Sequence, residues 1–426
     1  MRLFFKFFIA PVASLIAWAA LIYSATINGW FHSPVAPTND AAAFTVAATR
    51  TIDNASKGNA ALLVLENGKI TGEHYVSAGT PVNQDTLFQV ASLSKWVSAW
   101  GVMTLVDKGM LDLDVPVSRY LTRWQLPDSE FDNDGVTVRR LLSHTAGLTD
   151  GLGYGGFASL NEVQSIEASL TKAVDASPNA DGRVLVGIEP GTAFKYSGGG
   201  YTLLQLLIEE VSGKSFEQYM QEAVFQPLGM HRTTYEQVDE TTKNLAEFYD
   251  MEGDLAQHYR FAGLAPTSLY TSAGDMARFI QAHLDQGPNA PIGRHSLKAE
   301  TVAMMRVPHA TSFGADIWGL GAMLFAPTPN GDFIIGHDGK NEPAINTSAR
   351  LNPENGDGFI LLETGNELLA TETAGEWTFL QTGQLDLLMF TVAKDTMVQI
   401  ILAGWLIIIF FSLGLGCRSW RNRHSK

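Results

Sequence analysis

The sequence predicts an α/β domain, of the α+β kind, on one antiparallel sheet to which both ends of the domain contribute strands. Three observations predict it. Residues 60–65 and 70–76 read as a strand pair joined by Asn67-Gly68. Residues 333–336, 344–351 and 358–362 read as three more strands near the other end. Between these groups apolar residues recur mostly at helical spacing. A strand pair, a long helical middle and a strand triplet close most simply as one sheet. Helices then flank it and part of the middle forms a helical lobe.

The elements follow in chain order. Residues 7–31 carry no charge and residues 7–23 are almost wholly apolar. About 20 such residues span a bilayer as a helix. Residues 1–31 are therefore expected as an N-terminal membrane anchor, with a cleaved signal peptide as the alternative. Tyr23-Ser24-Ala25 is a poor cleavage site, which favours the anchor. Residues 32–48, rich in Pro, Ala, Thr and Asn, read as a linker. The main domain is expected over 49–368.

Within it, Asn-Gly is the strongest short hairpin signal. Residues 97–108 have helical apolar spacing, and Gly109 supplies a C-cap. Residues 202–211 form an amphipathic helix closed by Ser212-Gly213. Ser215 caps a further helix over 216–225, expected to stop at Pro227. Another spans 272–284. The turn Pro353-Glu354-Asn355-Gly356 joins the last two strands. Residues 369–396 read as a connecting helical segment. Residues 397–417 are again uncharged, with Ile407-Ile408-Ile409-Phe410-Phe411 at the centre, and read as a transmembrane helix. Residues 418–426 form a basic tail.

Charge sorts the partners. Arg2 and Lys6 flank one apolar segment; Arg418, Arg421, Arg423 and Lys426 flank the other, and neither region holds an acid. By the positive-inside rule both termini face the cytoplasm. The body then lies on the periplasmic or extracellular side of an inner (cytoplasmic) membrane. That body keeps 29 − 6 = 23 basic residues against all 44 acids, a net charge of −21. Such a balance argues against nucleic acid, whose phosphates need Lys and Arg. The single cysteine, Cys417, allows no intrachain disulfide.

Chemistry concentrates in a few segments. In Ser92-Leu93-Ser94-Lys95 the serine and lysine stand three apart, on one side of a helix. A serine hydroxyl needs an adjacent base to become a nucleophile. The apolar flanks, Leu87-Phe88-Gln89-Val90-Ala91 and Trp96-Val97, disfavour a charged lysine and pull its pKa down towards a useful base. In Pro190-Gly191-Thr192-Ala193-Phe194-Lys195-Tyr196-Ser197-Gly198-Gly199-Gly200-Tyr201, a tyrosine stands on a glycine-rich turn before a helix. A phenol beside a lysine ammonium can ionise at neutral pH and act as a base. In Ile334-Ile335-Gly336-His337-Asp338-Gly339, a histidine ends an apolar strand where a sheet edge meets a pocket. His144, at a helix end before a turn, reads as a structural hydrogen-bonding residue. Gly151-Leu152-Gly153-Tyr154-Gly155-Gly156 follows no strand and reads as a flexible loop, not a dinucleotide cradle. There is no G-x-S-x-G, H-E-x-x-H or paired C-x-x-C. No metal and no cofactor are expected.

In order and spacing these segments resemble the class C beta-lactamase-like serine hydrolases, a family of penicillin-recognising enzymes, D-peptidases and esterases. Ser92-Leu93-Ser94-Lys95 matches the first motif, His144-Thr145-Ala146-Gly147-Leu148 the H-T-[SA]-G-L segment, and residues 190–201 the P-G-x-x-F-x-Y-S stretch. Pro227-Leu228-Gly229-Met230, Ser272-Ala273-Gly274-Asp275-Met276 and Gly336-His337-Asp338-Gly339 follow in order. The resemblance spans residues 50–366 and leaves both apolar segments outside.

The resemblance implies a beta-lactamase/transpeptidase-like fold with Ser92 as the acylated nucleophile, Lys95 as its activator and Tyr196 as acid/base partner. His337 would line the edge strand facing the substrate. The backbone N–H groups of Ser92 and Lys340 would form the oxyanion hole, and Gly339 and Gly198 belong to the substrate-binding set. Two departures stand out. Gly198 replaces the asparagine of the second motif, and His337 replaces the lysine of dedicated beta-lactamases. Imidazole is mostly neutral at pH 7, although Lys340, three residues on, could restore a charge. The expected activity is hydrolysis of an ester, amide or D-amino-acid peptide, with beta-lactams turned over slowly. The alternative is a non-catalytic beta-lactam or peptidoglycan sensor; the intact Ser92, Lys95 and Tyr196 argue against it.

Overall fold

A computed structural model describes residues 9–37, 40–150, 154–178, 180–238, 242–312 and 314–424. Arg2, Lys6, Lys426 and the first three residues of the expected glycine-rich loop, 151–153, lie outside them. Asn67 and Gly68 take positive φ, 50° and 73°, and turn β1 (Ala60–Glu66) into β2 (Lys69–Val76). Paired positive φ values suit the right-handed twist of a hairpin. Next come β3 (Phe88–Gln89), β4 (Tyr270–Thr271), β5 (Ala310–Ser312), β6 (Ala315–Trp318), β7 (Met323–Pro327), β8 (Phe333–Asn341), β9 (Ile345–Leu351) and β10 (Gly358–Thr364). The main antiparallel sheet has the order β2-β1-β10-β9-β8-β7-β6-β5, so strands from both ends of the domain meet where β1 pairs with β10. β5, β6 and β7 were not expected: at three to five residues each they are too short to show a period. β3 and β4 pair separately.

Alternation along β1 divides the core. Ala61, Leu63 and Leu65 face one layer; Ala60, Leu62 and Val64 face the other. The helices that matter are α1 (Ala10–Ile27), α2 (Ala41–Ala55), α3 (Ser94–Asp107), α4 (Gly198–Ser212), α5 (Ala273–Gln281), α6 (Leu369–Thr382) and α7 (Leu387–His424). α3, α4 and α5 belong to the first layer, α2 and α6 to the second. Gly109 and Gly213 take positive φ just past α3 and α4, as C-cap glycines do.

Several boundaries differ from expectation. α2 begins inside the expected linker. Asp40 accepts a hydrogen bond from the Ala43 amide at 2.8 Å, and Phe44, Ala48 and Ile52, spaced by four, bury one stripe on the sheet. The helix after Ser215 does not stop at Pro227. Phe216–Met220 widens into a π turn, Gln221–Phe225, and resumes over Gln226–Leu228. Proline there sits in the first turn of a new helical piece, where its missing N–H costs little. The connecting segment divides into α6, whose Trp377 is buried, and the start of α7.

Arg350 on β9, fully buried, pins that start. It is bonded to Asp386, donates to Thr378 Oγ1 at 2.7 Å and lies 3.3 Å from Asp338 on β8. Asp386 also accepts from the Met389 amide at 2.7 Å. Ala10–Ile27 and Ala393–Leu415 are long and apolar enough, by length and composition, to cross a membrane. The two helices run antiparallel: Trp405 Nε1 donates to Leu15 O at 2.9 Å and Trp18 Nε1 to Ile400 O at 3.3 Å.

Candidate active site

Ser92 lies in the single 3-10 turn Ala91–Leu93 that leads into α3. Ala91 takes φ 48°, a left-handed conformation that a residue with a Cβ holds only where its surroundings impose it. The surroundings are hydrogen bonds. Ser94 Oγ donates to Ala91 O at 2.6 Å and accepts from the Leu269 amide at 3.0 Å. Thr347 Oγ1 donates to Val90 O at 2.8 Å. The second serine of Ser92-Leu93-Ser94-Lys95 thus fixes the turn that presents the first.

Lys95 is 1% exposed. Its Nζ donates to Ser92 Oγ at 3.0 Å and to Pro266 O at 2.9 Å, and it lies 4.8 Å from the Tyr196 ring centroid. Burial draws its pKa down to about 7, against the pull of the Asp150 carboxylate. Near neutral pH roughly half of the amine is therefore free base.

The Ser92 side chain favours ionisation of the Tyr196 phenol, but burial, the larger effect, pushes the phenol above its ordinary value, and Asp150 adds to the rise. The expected ionised phenol at neutral pH is thus corrected: desolvation outweighs the Ser92 side chain, and the phenol stays protonated. His144 packs beneath it, ring centroids 4.3 Å apart. The His144 carbonyl accepts from the Lys195 amide at 2.8 Å, and Nδ1 accepts from the Ser197 amide at 3.1 Å. His144 is thereby neutral and structural, clamping the residues on both sides of Tyr196. Burial, then Lys95 and His337, hold its pKa well below the usual histidine value.

Asp150, 2% exposed, closes the start of α4. It accepts from Ser197 Oγ, from the Gly199 amide at 2.8 Å and from the Tyr154 hydroxyl at 2.9 Å. Gly198 opens α4 against Tyr154; a Cβ there would stand 2.5 Å from the Tyr154 ring. The Tyr154 ring takes the space beside Gly198 where the second motif carries an asparagine side chain.

β8 does not end at Gly336 as expected. It continues through His337, Gly339 and Lys340 to Asn341, paired with β9 throughout. Pairing with β7 stops at Gly336, so residues 337–341 have a free edge beside the Ser92 turn although β8 is an internal strand. His337 is 1% exposed; its Nδ1–H donates to Asp338 O at 2.6 Å. Nε2 is then an acceptor, buried and unpartnered. Burial, reinforced by Lys95, draws its pKa to about 3, so the imidazole is neutral.

Lys340 points to the other face of the sheet, as strand alternation requires. Its Nζ lies 2.5 Å from Glu367 Oε2. Of the two alternatives left open for Lys340, the structure has its ammonium paired with Glu367 and turned from the site, with only its backbone at the site's edge. Among the described residues no group of three or more His, Cys, Asp or Glu is placed to hold a metal.

Sequence reasoning missed Asp150, Tyr154, Pro266 and Trp318. Trp318 on β6 stands edge-on to both His144 and His337, at 4.8 and 5.3 Å. Asp150, two residues past the H-T-A-G-L segment, carried a signal as an acid before a glycine run. The Pro266 carbonyl, being backbone, carried none.

A family model described as Beta-lactamase matches residues 48–379. Penicillin-binding protein 4 of Amycolatopsis lactamdurans is 32% identical over 303 residues, 66% of this chain and 74% of that one. The octameric penicillin-binding protein homologue from Pyrococcus abyssi superposes with a TM-score of 0.65 at 22% identity, covering 81% of this chain and 78% of the other. A D-amino acid amidase from Ochrobactrum anthropi superposes with a TM-score of 0.61 at 21% identity, covering 79% and 96%. At these identities the two solved structures speak for the fold.

Proposed function

Since this chain belongs to the beta-lactamase family of serine hydrolases, we propose that it cleaves an ester, an amide or a D-amino-acid peptide through an acyl-enzyme on Ser92. One observation carries the reading: a buried amine with a pKa of about 7 stands 3.0 Å from the Ser92 hydroxyl.

Free Lys95 takes the Ser92 proton as Oγ attacks the substrate carbonyl. The oxyanion gathers at the backbone N–H groups of Ser92 and Lys340, each worth about 3–4 kcal/mol in the transition state. Tyr196, protonated, passes its proton to the leaving group and recovers one from Lys95. Water then enters and the same groups act in reverse to release the acid. His337 Nε2, an acceptor, favours substrates that offer an N–H or O–H over those that offer a carboxylate. The family's preference for a fixed cation at this place is unmet, so neutral esters and amides are the expected substrates.

The fluorophosphonate test is direct. Wild-type protein is expected to label at Ser92, by mass spectrometry of the modified peptide, and Ser92→Ala to lose labelling while keeping its melting temperature. Labelling that persists in Ser92→Ala, or maps to another serine, overturns the assignment.

The same reading places the hydrolase domain outside the cytoplasm, with α1 and α7 as anchors and both termini inside, on the strength of the basic flanks and the two apolar helices. A reporter after Lys426 is expected to be active only in its cytoplasmic form. A mature N-terminus near Thr26 would show a cleaved signal instead.

A further inference from the structure

A cavity of about 590 Å³ lies where both apolar helices leave the domain. That size falls within the roughly 300–1,000 Å³ of clefts that take small molecules. The cavity sits in the α2/α6 layer, on the face of the sheet opposite Ser92. Phe44 and Ala48 of α2, Leu369 of α6, and Leu388 and Met389 of α7 make its apolar walls. Ala393 and Thr396 carry the lining into the apolar stretch Ala393–Leu415, while His32 and Val35 bring it close to the end of Ala10–Ile27. The walls are thus continuous with the surface those helices would show to lipid, and an apolar hollow of this kind is poorly served by water. Two carboxylates stand on the same wall, Glu372 and Glu376, one turn apart on α6. Glu376 lies 3.1 Å from His32 Nε2.

We propose that this cavity binds one acyl chain of a bilayer phospholipid whose headgroup carries an ammonium. The chain lies among Phe44, Ala48, Leu369 and Leu388, and the ammonium meets Glu372 and Glu376. An acyl chain enters sideways along α7 without leaving apolar surroundings, and the paired carboxylates disfavour an anionic headgroup. The inference rests on the reading that α1 and α7 span the bilayer.

The test uses the full chain in neutral detergent, offered phosphatidylethanolamine or phosphatidylglycerol and weighed by native mass spectrometry. One phosphatidylethanolamine per chain is expected, at least about threefold over phosphatidylglycerol, the scale of an exposed charge pair. Ala48→Phe fills the cavity and is expected to lose the lipid. Glu372→Gln, an exposed change, is expected to keep a lipid and lose the preference. Fluorophosphonate labelling at the wild-type rate reports that each variant is folded. A wild-type chain without lipid, an Ala48→Phe chain with as much lipid as wild type, or equal binding of the two headgroups overturns the proposal. Alkaline carbonate extraction separates the readings. Release from membranes defeats the spanning reading itself; retention with an empty cavity defeats only the lipid site.

Discussion

Gly339 on β8 lies against the backbone that carries Ser92: a Cβ on it would stand 2.1 Å from the Val90 carbonyl oxygen and 3.1 Å from the Leu93 amide nitrogen. Neither contact is with a flexible side chain, so the two segments must part if a side chain is added. The glycine of this His-Asp-Gly stretch of β8 therefore sets the distance between the serine turn and the free edge of the strand.

Gly339→Ala is expected to slow acylation by at least about 100-fold, since misplacement by about 1 Å costs that much. Overpacking is expected to destabilise the fold by about 1–3 kcal/mol. Labelling rate and denaturant midpoint, measured together, check both. An alanine variant that labels like wild type would remove the close approach from the mechanism.

Acylation is expected to fall as pH drops through about 7, because the proposed mechanism works through the free amine of Lys95. Asp150 stabilises the ammonium and so raises this pKa. Asp150→Asn is therefore expected to move the midpoint of the acid limb below that of wild type. The labelling rate from pH 5 to 9 checks the sign; a midpoint that stays or rises refutes the coupling. Lys95→Ala and Tyr196→Phe, which share one proton path with Ser92 in the proposed mechanism, are each expected to lose about as much as the double variant does. A loss that is the sum of two modest effects would separate them.

The proposed substrate choice rests on two residues. His337 is neutral at pH 7, with its pKa near 3, and the Lys340 ammonium is tied to Glu367 across the sheet. A short-chain p-nitrophenyl ester is expected to give a higher kcat/KM than nitrocefin. Lys340→Gln is expected to change either value by less than about threefold, because only its backbone borders the site. A preference for nitrocefin that Lys340→Gln abolishes would overturn both statements.

Arg350→Met is expected to destabilise the domain by about 3–5 kcal/mol, since it leaves Asp386 and Asp338 buried without their cation. Urea unfolding of the full chain in detergent checks this. A change below about 1 kcal/mol would mean that water or protonation compensates the two acids.

Local chemistry determined much of this protein before any fold was known. Asn67-Gly68 dictates its own hairpin. The helix around Lys95 follows from spacing, and so does the reach of Lys95 to Ser92, since both residues lie within one turn. The apolar ends declare themselves by length alone. What the tertiary structure decided are the quantities that depend on what packs against each group. Burial, a property of the assembled core, left Tyr196 protonated while it brought Lys95 to about 7. Strand alternation and pairing turned the Lys340 side chain away from the site and extended β8 past His337. Phe44, Ala48 and Ile52 became a helix stripe only because a sheet face waited for them. Tyr154 filled the space beside Gly198, and the Pro266 carbonyl met Lys95 from 171 residues away. No local pattern encodes such meetings, because they are set by how distant segments share one interior.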